Sequence, residues 1–181
     1  MDEHVIGIAL GSGLGSGLGS GPLTDAMVLP AGGSLPRDRL VRPCAVPEIV
    51  FVMSSALAGP GITAATALTA VGSVYGGLTV IDEGAPRLFV LGPVGVAPGS
   101  VDLSLEACLL EVNGRVVDSA TGAAVQGHPA RALARAANDH AADGRAIEPG
   151  WIVLTGGMTE PVSLDGVVGA HFTHLGSVYL S

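Results

Sequence analysis

The sequence predicts a mostly β protein with two helices (α+β). Three observations carry that expectation. Short apolar runs of strand length recur along the chain, an Asn-Gly pair separates two of them, and only two stretches open with helix-start residues.

In chain order, Val5 to Leu10 reads as a short strand. Gly11 to Gly21 then places glycine at every odd position, a flexible-linker composition read as an inserted connector. A dinucleotide fingerprint needs glycines at i, i+2 and i+5, and strict alternation puts the last at the wrong parity. Ile49-Val50-Phe51-Val52-Met53 is the next strand. Thr63 can N-cap a short helix from Ala64 to about Val71, and Leu78 to Asp82 follows as a strand. Leu105 to Ser119 is a hairpin, because Asn113-Gly114 supplies the positive dihedrals of a two-residue turn. Pro129 suits the first turn of a helix ending near Gly144, with Leu133, Ala134, Ala137 and Ala141 as its narrow apolar stripe. Trp151–Thr155, Val167–Phe172 and Ser177–Leu180 complete the strands.

The 181 residues form one domain by length, residues 1–181, with the Gly/Ser-rich linker at 11–21. Hydrophobic residues make up 48% and charged residues 13%, with a mean hydropathy of +0.56. So apolar a surface is expected to be partly covered by other subunits, as in a homo-oligomer. The net charge of -8, with eight basic residues scattered along the chain, argues against a nucleic-acid partner. No charged side chain occurs from Ile49 to Ile81, a length that could cross a bilayer, but Pro60 and several glycines interrupt it and no membrane segment is expected. Met1-Asp2-Glu3-His4 lacks the basic and apolar regions of a signal peptide. Cys44 and Cys108 form no metal or redox spacing and read as buried free thiols of a cytoplasmic protein.

Five segments in order carry a resemblance: Leu23–Pro43, Pro47–Met53, Gly122–Ala134, Trp151–Thr159 and His171–Leu180. Together they resemble the fumarylacetoacetate hydrolase superfamily, in particular its 2-keto-4-pentenoate hydratase and 4-oxalocrotonate decarboxylase branch. The resemblance implies a mixed β-roll or barrel, and a Mg²⁺ or Mn²⁺ held by two carboxylates of a Glu-x-Glu strand and one of a following strand. Val46 stands at the first of those positions, Glu48 at the second and Thr79 at the third. Asp82, three residues beyond Thr79, falls on the opposite face by strand alternation. The family's lysine near the substrate matches Ala9, and the segment that follows the third ligand is missing between Ile81-Asp82-Glu83-Gly84-Ala85-Pro86 and Arg87.

The resemblance therefore implies an engineered or minimised scaffold whose metal site and catalytic lysine are lost, inactive and without a cofactor, with a small 2-oxo acid as the ligand of any vestigial pocket. One alternative is a divergent Mg- or Mn-dependent lyase, a hydratase or decarboxylase of 2-oxo acids from aromatic catabolism, in which Glu48, Asp82 or Glu83 and the Thr155 turn rebuild a site. Another is an oligomeric binding or assembly module.

Glu48 is the sole remaining metal-ligand position. Facing an apolar interior, its carboxyl favours the neutral acid; hydrogen-bonded or at a rim, it is an ordinary glutamate. Thr155-Gly156-Gly157 resembles the family's substrate-carboxylate turn, where N–H groups and a hydroxyl hold an anion, and it equally fits a plain glycine turn. His128 reads as a helix cap. His171 and His174, three apart on a strand, point to opposite faces and would need a bend to share a metal.

Overall fold

A computed structural model describes residues 3–11, 21–32, 35–83 and 87–181, so most of the alternating glycine run lies outside the described residues. The described residues form eleven strands and two α-helices: β1 (Val5–Ala9), β2 (Gly21–Thr24), β3 (Cys44–Met53), α1 (Ala64–Thr69), β4 (Val71–Ile81), β5 (Leu88–Val96), β6 (Ala107–Val112), β7 (Arg115–Thr121), α2 (Pro129–Ala141), β8 (Ile152–Gly157), β9 (Val162–Ser163), β10 (Val168–Phe172) and β11 (Ser177–Leu180). The mostly β class with two helices is the one the sequence predicts.

One sheet runs β2-β1-β8-β3-β4-β5, with β9 also on β3, and the second runs β11-β10-β6-β7. Both faces of β3 are buried. Its Ala45, Ile49, Phe51 and Met53 enter the main core with Leu78, Leu110, Leu133 and Phe172. Val50, on the other face, joins Ala9, Leu23, Phe89 and Leu154 in a second, smaller cluster. This double burial explains why β3 reads as a continuous apolar run rather than an alternating one.

The local signals act where the sequence places them. Asn113 and Gly114 take φ of 52° and 78°, the left-handed pair that matches hairpin twist. Thr63 caps α1 in a reciprocal box: its hydroxyl accepts the Thr66 N–H at 3.2 Å and the Thr66 hydroxyl accepts the Thr63 N–H at 2.8 Å. The helix ends at Thr69, two residues before the expected Val71, because Val71 already opens β4. Likewise α2 ends at Ala141, and Gly144 turns the chain at φ 66° just beyond it.

β2, β5, β9 and the first half of β4 were not legible as strands. Gly92 and Pro93 interrupt β5, and such residues read locally as loop; pairing with β4 on either side of them, across a register shift from Leu91 to Gly95, holds the segment in the sheet. The charge-free run from Ile49 to Ile81 becomes the second half of β3, then α1 and β4. Among the described residues, no helix is long and apolar enough to cross a membrane.

Candidate functional site

Strand register decides which side chains meet. Val46 lies opposite Thr79 and Glu48 opposite Gly77 on the β3–β4 ladder, while Thr79 lies opposite Phe89 on β5. Residues opposite one another share a face, so Val46, Glu48, Thr79 and Phe89 project to one side, that of the smaller apolar cluster. Ala9 belongs to that cluster at 2% exposure. The four positions named from sequence are therefore gathered on one face.

The β3–β8 register jumps from Glu48↔Gly157 to Val50↔Leu154, a bulge that sets extra β8 residues against β3. Gly156 occupies it at φ 108°, a conformation open to glycine. The bulge turns two donors inward: the Gly156 N–H donates to Glu48 Oε2 at 2.9 Å, and the Thr155 hydroxyl donates to the Ile49 carbonyl at 2.7 Å. Thr155, Gly156 and Gly157 continue β8 and are buried, instead of forming a turn after Thr155. Their inward donors serve the protein itself.

Glu48 is 1% exposed. Burial raises its pKa above the ordinary carboxylate range, against weaker opposing pulls from Thr79, the Gly156 N–H and the charge of Arg87. The Thr79 hydroxyl is close to the carboxyl, yet Thr79 Oγ1 has no partner in good hydrogen-bond geometry. Alignment governs hydrogen-bond strength, so that contact offsets only part of the effect of burial. A protonated Glu48 also has an O–H to offer the orphaned Thr79 oxygen.

Arg87 was not singled out from sequence. It is half-buried at the start of β5, its pKa lowered by burial and raised by the charge of Glu48. A signal existed: it is the sole basic residue between Arg42 and Arg115. Glu106 was also missed. Fully buried, it accepts the His174 and Leu175 N–H groups at 2.8 and 3.3 Å and meets His174 Nδ1 at 2.7 Å.

The other candidates separate. His128 Nδ1 accepts the Ala130 N–H at 3.0 Å as the α2 cap. His171 stands on β10 beside Glu111, and His174 lies past the end of that strand beside Glu106. Asp82 accepts the Val41 and Arg42 N–H groups at 2.9 and 2.6 Å, and Glu83 pairs with the Arg42 guanidinium. Both acids hold the loop before β3. Cys44 and Cys108 are free, the first half-buried and the second buried.

No family model matches the chain. A 2-hydroxypent-2,4-dienoate hydratase of Pseudomonas putida is 36% identical over 133 residues, 64% of this chain and 60% of the relative. A 4-oxalocrotonate decarboxylase of Pseudomonas sp. is 30% identical over 175 residues, 88% of this chain and 68% of the relative. Structures of 4-oxalocrotonate decarboxylase from Pseudomonas putida G7, one complexed with calcium and acetate and one with magnesium and adipate, superpose with TM-scores of 0.90 at 28% identity over 98% of this chain and 77 or 78% of theirs.

The chain belongs to the fumarylacetoacetate hydrolase superfamily. Its place is the 2-hydroxypentadienoate hydratase and 4-oxalocrotonate decarboxylase branch, a group of lyases. It spans about three-fifths of the length of the first curated relatives it matches, 60% and 58%. A psychrophilic fumarylacetoacetate hydrolase at 14% identity and TM-score 0.76 shares the fold.

The described residues on this face do not fit a divalent metal. Hard cations take several oxygen ligands, and the face offers one carboxylate already bonded to Gly156. Val46 is fully buried, and a Cβ at Gly157 would lie 2.4 Å from Val46 Cγ1, so apolar packing fills the place where the resemblance expects the first ligand. Among the described residues, no cluster of three His, Cys, Asp or Glu could hold a metal. All eight basic residues are arginines, so no lysine stands at Ala9, where the resemblance expects one, or anywhere else in the chain.

Proposed function

We propose that this chain is a minimised or redesigned scaffold of the hydratase and decarboxylase branch that keeps the fold and has lost metal-dependent turnover. One observation carries the reading: Val46 packs against Gly157 where a metal-binding carboxylate would stand. The alternating glycine run supports redesign by its composition.

Lyase chemistry on a 2-oxo acid builds negative charge on an enolate oxygen, and preorganised positive groups lower that barrier. Here the inward donors Gly156 N–H and Thr155 hydroxyl are bonded within the protein. Glu48 adds no positive charge, and its elevated pKa favours a neutral acid. Loss of a single oxyanion donor typically costs about 10²–10³ in rate, and this face lacks a charge of two and a lysine together. The divergent-lyase reading would recruit Asp82 and Glu83, which instead bind Val41 and Arg42.

The test is calorimetric titration with Mg²⁺ and Mn²⁺, followed by an ultraviolet assay on 2-hydroxypenta-2,4-dienoate. The expected result is neither saturable binding nor turnover. Saturable binding accompanied by turnover would establish the divergent lyase instead.

A further inference from the structure

The outward face of the second sheet gathers a serine, a histidine and a glutamate that the reading above does not use. Ser177 Oγ lies 3.0 Å from His171 Nδ1, and His171 Nε2 lies 3.1 Å from Glu111 Oε2. The two ring nitrogens thus touch a hydroxyl on one side and a carboxylate on the other. We propose that Ser177, His171 and Glu111 form an acyl-transfer relay acting on small activated esters.

Three adjacent strands build it. His171 and Ser177 are directly opposite on β10 and β11. The Phe172 N–H donates to the Gly176 carbonyl one position along, so His171 and Ser177 form the non-hydrogen-bonded kind of pair, whose side chains approach most closely. Glu111 reaches His171 diagonally across β6, opposite Gly169. A Cβ at Gly169 would come within 2.9 Å of the Tyr179 ring and 3.0 Å of Glu111 Cγ, so the glycine lets both side chains lie over the strand. Tyr179 flanks the imidazole edge-on, at 5.4 Å between ring centroids and 81°.

The chemistry follows from the tautomer. A carboxylate can only accept, so Glu111 favours the proton on Nε2 and leaves the Nδ1 lone pair for the Ser177 hydroxyl. The Nε2 contact is close in distance, but its N–H direction misses ideal alignment; catalytic contacts of this kind commonly tighten only with substrate bound. In the step itself, Ser177 Oγ forms a bond to the ester carbonyl carbon as its proton passes to His171 Nδ1. The carbon–oxygen bond to the leaving group then breaks with the pair going to that oxygen, and the proton on His171 Nδ1 passes to it, or to solvent when the leaving group is a stable phenolate, so the imidazole returns to its neutral form. Water, deprotonated by His171 Nδ1, later attacks the acyl carbon, the bond from that carbon to Ser177 Oγ breaks, and the imidazolium returns the proton to Oγ as the acid leaves. Because the ladder bonds fall at the neighbouring pairs, the Ser177 N–H points away from β10, a backbone donor on the nucleophile itself for the oxyanion. His171 and Glu111 side chains retain 30% and 21% exposure, so a small ester can reach them.

The probe is p-nitrophenyl acetate at neutral pH, with product release and peptide masses both followed. A chain without lysine gives no acetyl-lysine background. The expected result is a burst of p-nitrophenolate and an acetyl group on Ser177, both lost in Ser177→Ala with an unchanged circular dichroism spectrum. His171→Ala slows acylation about a hundredfold, within the range of general-base catalysis. Glu111 acts as a positioning residue: Glu111→Gln keeps the burst amplitude and lowers its rate, and Glu111→Asp partly restores the rate. Acetyl on other residues with Ser177 unmodified, or a burst unchanged in Ser177→Ala, overturns the proposal.

Discussion

Replacing Glu48 by glutamine isolates the one ionisable group at the centre of the candidate site. The amide oxygen of the variant can still accept the Gly156 N–H that now reaches Oε2 at 2.9 Å, and its NH₂ can donate to the orphaned Thr79 oxygen. What changes is the charge. An unfolded glutamate titrates near its ordinary value of about 4.3, whereas burial holds the folded Glu48 above it. Below the ordinary value both states carry the proton and the native protein suffers no penalty. As pH rises past it the unfolded chain ionises first, and stability falls until the folded carboxyl ionises as well. Each tenfold displacement of that proton equilibrium costs about 1.4 kcal/mol. In a domain of this size 1 kcal/mol moves Tm by roughly 2–4 °C, so a single tenfold displacement corresponds to about 3–6 °C, less whatever the attraction to Arg87 returns. Urea unfolding of both proteins from pH 4 to pH 8 measures it. Glu48→Gln is expected to match the parent at pH 4 and to exceed it at pH 8, with a flatter stability profile. A variant less stable than the parent at pH 8, with the parent gaining rather than losing stability relative to it as pH rises from 4, would mean that Glu48 is ionised and firmly paired in the folded protein, and the argument for a neutral acid would fail.

Two further outcomes test the same face and the core beneath the second sheet. Val46→Glu, Thr79→Glu and Ala9→Lys combined are expected to restore calorimetric Mg²⁺ or Mn²⁺ binding more readily than turnover, because the register already sets positions 46 and 79 opposite each other beside Glu48; a triple variant that binds no divalent ion would refute the placement of the site. Burial pushes the Cys108 thiol up to about 12, and thiolate is the reactive form. A disulfide reagent at pH 8 should therefore leave Cys108 untouched in the native protein and modify it after unfolding; rapid native labelling of Cys108 would show the core to be open there.

The mostly β class, the Asn113-Gly114 hairpin, the Thr63 and His128 caps and the gathering of Ala9, Val46, Glu48 and Thr79 were all legible in the sequence, because each rests on local dihedral preference, strand parity or a family's motif order. The Thr155-Gly156-Gly157 segment shows where that legibility stops. Its composition suits a turn, yet a bulge against β3 keeps it in the sheet and points its donors at Glu48 and Ile49. Glycine tolerates both conformations, so only the partner strand could decide between them. Arg87 came to Glu48, and Glu106 to His174, through pairings across the chain that no short window contains. The Ser177, His171 and Glu111 contacts arose in the same way: sequence fixes that each residue alternates on its own strand, but the neighbours it meets depend on strand order and register. Residue chemistry and local periodicity are properties of the chain itself, while proximity between distant residues exists only once the sheets have closed.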